Sequence, residues 1–136
     1  MKHLAVRDLM TATPFSLTGD ATLFELGELM DDKGIRHVPV VDDDGEVIGL
    51  VSQRDFVRMA LAPAESLPVS LQVDALHVGT VADVMVNDVE TVDPDTNIAS
   101  AARVMLENKF GCLPVVEGSR LVGILTEADF VRRFAG

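Results

Sequence analysis

The stretch Gly49-Leu-Val-Ser-Gln-Arg-Asp55 decides the fold, because it returns 74 residues later as Gly123-Ile-Leu-Thr-Glu-Ala-Asp129. Each copy reads glycine, two apolar residues, serine or threonine, two free positions and aspartate. Further towards the N-terminus, Val6-Arg-Asp-Leu-Met10 returns as Val81-Ala-Asp-Val-Met85 at an offset of 75. A repeat that keeps its register over the whole chain indicates an internal duplication.

Each half predicts the same elements, in the order β-α-β-β-α. In the first half, Thr22 and Glu25 have the spacing of a capping box, and Gly34 ends the helix that they open. The Asp-Gly pair that closes Asp42–Gly45 predicts a hairpin turn. The predicted elements are Val6–Met10, Phe15–Leu17, a helix from Thr22 to Gly34, Val38–Val41, Glu46–Val51 and Gln53–Leu61, repeated as Val81–Met85, Glu90–Val92, a helix around Ile98–Met105, Leu113–Glu117, Arg120–Leu125 and Glu127–Phe134.

The fold class that follows is α+β. A half of this size has a marginal core alone, so we expect the two repeats to pack sheet to sheet about a pseudo-twofold axis. Repeat 1 covers residues 4–62, a connector covers 63–78, and repeat 2 covers 79–135. Together they are expected to form one module.

Composition and charge exclude several partners. The 136 residues carry 22 Asp+Glu against 11 Lys+Arg, a formal net charge of −11, and no Trp or Tyr. Such a surface repels a phosphate backbone and offers few rings for stacking, so no nucleic-acid polymer is expected as a partner. No apolar stretch reaches the roughly 18 residues of a spanning helix, so no membrane is expected. A single cysteine without an export signal favours the cytoplasm.

No catalytic or metal-binding pattern is present in the sequence. The acidic run Asp42-Asp-Asp44 lacks the spacing of a calcium loop, which favours a solvated hairpin tip. His3, His37, His77 and Cys112 lack zinc-type spacing, and no nucleophile elbow or P-loop occurs. Free cysteines are commonly buried, so Cys112 is interpreted as a packed thiol. We therefore expect no enzyme activity, no metal and no required cofactor.

The doubled signature lies where a buried strand is predicted to pass into a helix. Ser52 with Asp55, and Thr126 with Asp129, have capping-box spacing, so an ordinary helix start is one interpretation. Unpaired N–H groups at a helix start also favour an anion. A hydroxyl there can reach a phosphate, and aspartate accepts hydrogen bonds from ribose hydroxyls in dinucleotide folds. Capping and ligand contact do not exclude each other.

The paired halves resemble tandem cystathionine-β-synthase (CBS) domains, which form a Bateman module. The matching residues are Leu9-Met10-Thr11 with Val84-Met85, the strands Val38–Val41 and Leu113–Val116, and the two signatures. The resemblance implies a regulatory sensor that binds AMP, ADP or ATP, or else NAD or S-adenosylmethionine, in clefts between the repeats. It also implies a homodimer and a regulated partner protein, whose identity the sequence leaves open.

The resemblance also implies the residues of the ligand sites. The family often places basic residues before the Pro-Val-Val strand, where this chain has Arg36-His37 in the first half and Gly111-Cys112 in the second. The two clefts are therefore unlike, and which cleft Arg36 and His37 serve stays open; the alternative is a surface arginine and a strand-end histidine. The implied ligand-binding residues are Ser52, Asp55, Thr126, Asp129, Arg36 and His37.

Other functions stay open beside the sensor. A ligand-free dimerisation scaffold is the first alternative, and an enzyme ranks below both because no catalytic constellation occurs. The remaining basic residues near the last helices are interpreted as ordinary solvated helix faces: Arg54, Arg58, Arg132 and Arg133.

Overall fold

The computed structural model describes residues 4–61, 68, 71 and 76–135, which include two three-stranded sheets and several helices. The α+β class is confirmed. Most of the predicted connector lies outside the described residues. The elements are α1 (Val6–Leu9), β1 (Thr11–Ala12), β2 (Leu17–Thr18), α2 (Leu23–Lys33), β3 (His37–Val41), β4 (Val47–Ser52), α3 (Gln53–Asp55), a π-helix (Phe56–Leu61), a 3-10 helix (Val81–Asp83), α4 (Ile98–Asn108), β5 (Cys112–Glu117), β6 (Arg120–Thr126) and α5 (Glu127–Ala135).

The chain divides into two compact units that differ from the two sequence repeats. The first, which we call the Ser52 unit, contains the described residues of 15–44 and 48–89. The second, the Thr126 unit, contains those of 4–14, 45–47 and 90–135. The repeat boundaries drawn from the sequence stay a prediction. The compact units group residues that lie close in space, whereas the repeats group residues that are similar in sequence.

The Ser52 unit contains the sheet β2–β3–β4 and helix α2. Strand β2 runs parallel to β3, with Leu17 opposite Val40. Helix α2 begins as predicted, since Thr22 Oγ1 accepts a hydrogen bond from Glu25 N at 3.0 Å, and it ends at Gly34 with φ 61°. The positive φ explains the glycine there. The buried core of this unit includes Leu23, Leu26, Met30, Val38, Val40, Val51, Val81 and Val84.

The Thr126 unit contains the sheet β1–β6–β5 and helices α1, α4 and α5. Strands β5 and β6 pair antiparallel, with Leu113 opposite Leu125, and the register shifts between Val115 and Val116. Helix α4 begins where Asn97 Oδ1 accepts a hydrogen bond from Ala99 N at 2.8 Å. The buried core of this unit includes Val6, Leu9, Ala101, Met105, Leu113, Val115 and Leu125.

The opening segment of each repeat packs against the strand that carries the other repeat's signature. In the Thr126 unit, β1 pairs antiparallel with β6, and Ala12 lies opposite Gly123. In the Ser52 unit, Val86 N donates to Leu50 O at 2.9 Å, and Leu50 N donates to Val86 O at 3.1 Å. Each unit therefore combines segments from both repeats, which sequence periodicity alone does not predict.

The helix after Ser52 differs from the prediction of one α-helix over Gln53–Leu61. Only Gln53–Asp55 is α-helical, and Phe56–Leu61 is wound as a π-helix. The first residue of the π-helix, Phe56, packs against α2 where Gly27 has no side chain. An ideal Cβ on Gly27 would lie 3.2 Å from Phe56 Cζ. The spacing of apolar residues over one or two turns does not distinguish an α-helix from a π-helix.

The signature glycines are explained by close approach of the opening segments. An ideal Cβ on Gly49 would lie 2.4 Å from Met85 Sδ and 3.1 Å from Val86 O. In the Thr126 unit, a Cβ on Gly123 would lie 2.5 Å from Met10 Sδ and 3.1 Å from the Thr11 carbonyl oxygen. A methionine side chain can move aside, but a paired backbone carbonyl cannot do so without disturbing the sheet.

We predict that Gly49→Ala and Gly123→Ala each lower the free energy of unfolding by about 1–2 kcal/mol. Overpacking typically costs about 1–3 kcal/mol, and the reduced entropy of the unfolded chain offsets a fraction of this. Urea unfolding followed by circular dichroism measures the change. The matched control is Gly19→Ala, whose Cβ would have its nearest neighbour at 3.4 Å. Wild-type stability in Gly49→Ala would contradict the steric explanation.

Candidate functional site

The candidate site of the Ser52 unit lies where β4 passes into α3. Ser52 Oγ accepts a hydrogen bond from Asp55 N at 3.1 Å, and Asp55 Oδ2 accepts one from Ser52 N at 3.3 Å. This reciprocal pair confirms the capping box. Both residues are half-buried. Within the described part of the chain, the Ser52 hydroxyl proton and Asp55 Oδ1 take part in no further hydrogen bond.

The equivalent residues of the Thr126 unit form a different network at the junction of β6 and α5. Asp129 Oδ2 accepts hydrogen bonds from Thr126 N at 2.8 Å and from Thr126 Oγ1 at 3.2 Å. The Arg132 guanidinium donates to Asp129 Oδ1. The Asp129 side chain is only 3% exposed. The Thr126 hydroxyl is thus a donor to Asp129, whereas the Ser52 hydroxyl is an acceptor from Asp55.

The residues before the Pro-Val-Val strands lie next to the signature of the same unit. Arg36 O accepts a hydrogen bond from Gln53 N at 2.7 Å, and Gly111 O accepts one from Glu127 N at 3.3 Å. Arg36 is exposed, and His37, the first residue of β3, is half-buried. The backbone of Arg36 therefore adjoins Ser52, while a ligand contact of the Arg36 and His37 side chains stays a prediction.

Arg132 is the residue of this region that the sequence interpretation missed. Its side chain is 67% exposed, yet its guanidinium forms an ion pair with the buried Asp129. Arg132 is exposed, as the interpretation of a solvated helix face predicts, but that interpretation does not include the ion pair. A signal was present, because residues three positions apart share one face of an α-helix and opposite charges at that spacing attract.

Cys112 is a buried thiol at the start of β5. It is 3% exposed, and burial raises the pKa of its thiol from 9.0 to about 12. A protonated thiol is a poor nucleophile at neutral pH, because the thiolate is the reactive form. The interpretation of Cys112 as a packed residue is confirmed.

Across the residues whose placement the structure gives, no three His, Cys, Asp or Glu side chains come together as a metal-ligand group. Over the same residues, none of the helices has the length and apolar character needed to cross a membrane.

Comparison with known proteins identifies the family. The CBS domain model matches residues 6–62 and again residues 81–136. The chain belongs to the CBS domain family. This CBS domain pair is similar to the Vibrio cholerae protein AcuB, assigned to acetoin utilization, with 37% identity and a TM-score of 0.83 over 98% of this chain and 92% of that one. The resemblance seen in the sequence is thereby confirmed.

Another CBS-pair structure carries a ligand. CBSX2, a protein of Arabidopsis thaliana, has been crystallised in complex with AMP, and it is 28% identical to this chain with a TM-score of 0.82. The similarity covers 97% of each chain.

Curated relatives of this CBS domain pair are longer proteins. Homoserine O-acetyltransferase of Methanococcoides burtonii is 29% identical over 133 residues, which is 97% of this chain and 24% of that enzyme. The chain spans 41% and 33% of the length of two other curated relatives. The match is therefore confined to a part of each of these proteins.

We predict that Asp129→Ala is more destabilising than Asp55→Ala. Asp129 is buried and accepts three hydrogen bonds, whereas Asp55 accepts one and its backbone N–H keeps its bond to Ser52. Losses of about 2–3 kcal/mol and about 1 kcal/mol are expected. Urea unfolding measures both, and the two positions serve as each other's control. Equal losses would contradict the difference between the two networks.

We predict that Cys112 makes stability fall as the pH rises above about 9. The unfolded chain then loses the thiol proton, while the folded chain holds it until about pH 12. The stabilisation is thus complete below about pH 9 and declines above it, because the folded state binds more protons.

Unfolding of the wild type and of Cys112→Ala at pH 8 to about 10.5 isolates this contribution. The variant is less stable at pH 8 because of its cavity, but the difference from wild type narrows as the pH rises. The chain contains no tyrosine, so few other groups titrate in this range. A constant difference would rule out the thiol as the cause.

Proposed function

We propose that this CBS domain pair is a regulatory module that binds an adenine nucleotide of the AMP, ADP or ATP class. The observation that carries the proposal is the pairing of Ser52 with Asp55 at the end of β4. The site offers a hydroxyl donor and a carboxylate acceptor side by side, both half-buried. The AMP complex of the family member CBSX2 supports the choice of ligand.

The chemistry of the two side chains matches two parts of a nucleotide. The Ser52 hydroxyl accepts from Asp55 N, so its own proton can be donated to a phosphate oxygen. Asp55 Oδ1 can accept hydrogen bonds from the vicinal hydroxyls of ribose, as aspartate does in dinucleotide folds. The exposed Arg36, whose backbone adjoins the signature, supplies positive charge for the phosphate. Thr126 and Asp129 form the second proposed site, and His37 is proposed to assist Arg36.

Regulation of a partner protein is the proposed consequence of binding. A ligand changes a partner's affinity only if it binds two states of the module differently. The proposal includes a cytoplasmic homodimer without enzyme activity of its own. NAD and S-adenosylmethionine are the other ligands that the same donor and acceptor can serve.

The alternative is a ligand-free dimerisation scaffold. It is favoured by the apolar side chains that α5 exposes, since Val131 and Phe134 are 65% and 66% exposed. In that case Ser52 and Asp55 act only as a helix cap.

Calorimetric titration distinguishes these functions. We predict submillimolar binding of AMP to the wild type and at least about tenfold weaker binding at the Ser52 site in Asp55→Asn, because hydrogen bonds to a charged acceptor contribute about 1.5–3 kcal/mol. ATP, NAD and S-adenosylmethionine are titrated in parallel to rank the ligands.

Asp43→Asn is the matched control, since it makes the same change of charge at an exposed position of the hairpin. It should bind AMP as the wild type does. No heat with any of the four compounds, in a folded protein, would reject the sensor in favour of the scaffold. Chromatography after hours of incubation should show unchanged AMP, and turnover would reveal an enzyme.

A further inference from the structure

The two signature aspartates differ in how far their carboxylates are already occupied. Asp129 uses both oxygens: Oδ2 accepts from the backbone and hydroxyl of Thr126, and Oδ1 accepts from Arg132. Asp55 uses one oxygen, Oδ2, for a single bond to Ser52 N. A ribose hydroxyl can thus reach Asp55 Oδ1 without displacing a described residue, whereas at Asp129 it competes with an existing ion pair.

The winding of the following helix explains why only one carboxylate is paired. Arg58 follows Asp55 by three positions, just as Arg132 follows Asp129. Helix α5 is a regular α-helix, so the arginine and aspartate share a face and meet. After Asp55 the helix continues with π winding, whose wider turn breaks this alignment. Among the ion pairs of the described residues, Asp129–Arg132 is present and Asp55–Arg58 is not.

Burial strengthens the difference between the two sites. The Asp129 side chain is 3% exposed, whereas Asp55 is half-buried. A buried carboxylate needs its partners, since leaving it unpaired is costly. Arg132 is two-thirds exposed, so its guanidinium can turn into solvent without moving the backbone.

We propose that Arg132 masks Asp129, so that AMP binds first at the Ser52 site and reaches the Thr126 site only when Arg132 leaves. This inference rests on the proposed function and adds an order of binding to it. Arg132 is a positioning residue here, and the π-helical segment is what leaves Asp55 unmasked. The two halves of the duplication thus provide one site whose aspartate is available to a ligand and one site whose aspartate is paired with Arg132.

The test titrates AMP into the wild type, Asp55→Asn and Asp129→Asn. Two unequal binding steps are expected in the wild type, the tighter one weakened at least about tenfold in Asp55→Asn and kept in Asp129→Asn. Loss of the tighter step in Asp129→Asn instead, or two equal steps, would overturn the order of binding while leaving the proposed function intact. No AMP binding in the wild type or in any variant would overturn the proposed function and the inference together.

The role of Arg132 is tested in the Asp55→Asn background, where binding at the Ser52 site is already weakened at least about tenfold. We expect Arg132→Met to tighten AMP binding about fivefold. The variant removes a competing, partly exposed ion pair, which contributes roughly 1 kcal/mol. Arg133→Met, on the same helix and with the same loss of charge, should leave the affinity unchanged. Weaker or unchanged AMP binding in Arg132→Met would overturn the proposal that Arg132 masks Asp129. Should that variant fail to fold, Arg132→Gln replaces it, and the single Asp variants test the order independently.

Discussion

The close approach of a methionine and a backbone carbonyl to the signature glycine is the constraint on which each unit depends. Met85 with Val86 covers Gly49, and Met10 with Thr11 covers Gly123. Because a side chain on the glycine would separate the segments, the glycine permits the antiparallel pairing of the opening segment with β4 or β6. That pairing holds the strand whose last residue is Ser52 or Thr126. The position of the signature hydroxyl therefore follows from a contact three residues upstream.

At the two strand ends, the duplication preserves a main-chain hydrogen bond while the side-chain chemistry differs. The bond from Gln53 N to Arg36 O has its equivalent in the bond from Glu127 N to Gly111 O. The hydroxyls at these matched positions nevertheless play opposite roles, Ser52 as an acceptor and Thr126 as a donor. A sheet fixed by main-chain hydrogen bonds tolerates such changes at its ends, because they disturb no ladder bond. Two sites of different chemistry can thus arise on one repeated backbone.

The sequence predicts the features that depend on local contacts. The start of α2 at Thr22 and its end at Gly34 follow from capping chemistry within one turn, and the strands follow from the repeated apolar runs. The sequence interpretation misses three features. The exchange of opening segments between units joins residues far apart in the chain, which periodicity does not specify. The π winding after Asp55 differs from an α-helix by one hydrogen-bond step, and the Arg132 pair depends on the regular α winding of α5.

The net charge of −11 does not describe the proposed ligand sites. Exposed acidic residues such as Asp31, Asp32 and Asp43 face water, where salt screens them. The Ser52 unit places Arg36 beside its signature, whereas the Thr126 unit has Gly111 there and uses Arg132 to neutralise its own aspartate. Positive charge for a phosphate and an unoccupied carboxylate oxygen for a ribose thus occur together in the Ser52 unit. Two differences of independent origin, one before β3 and one after β4, support the proposal that the first nucleotide binds at the Ser52 site.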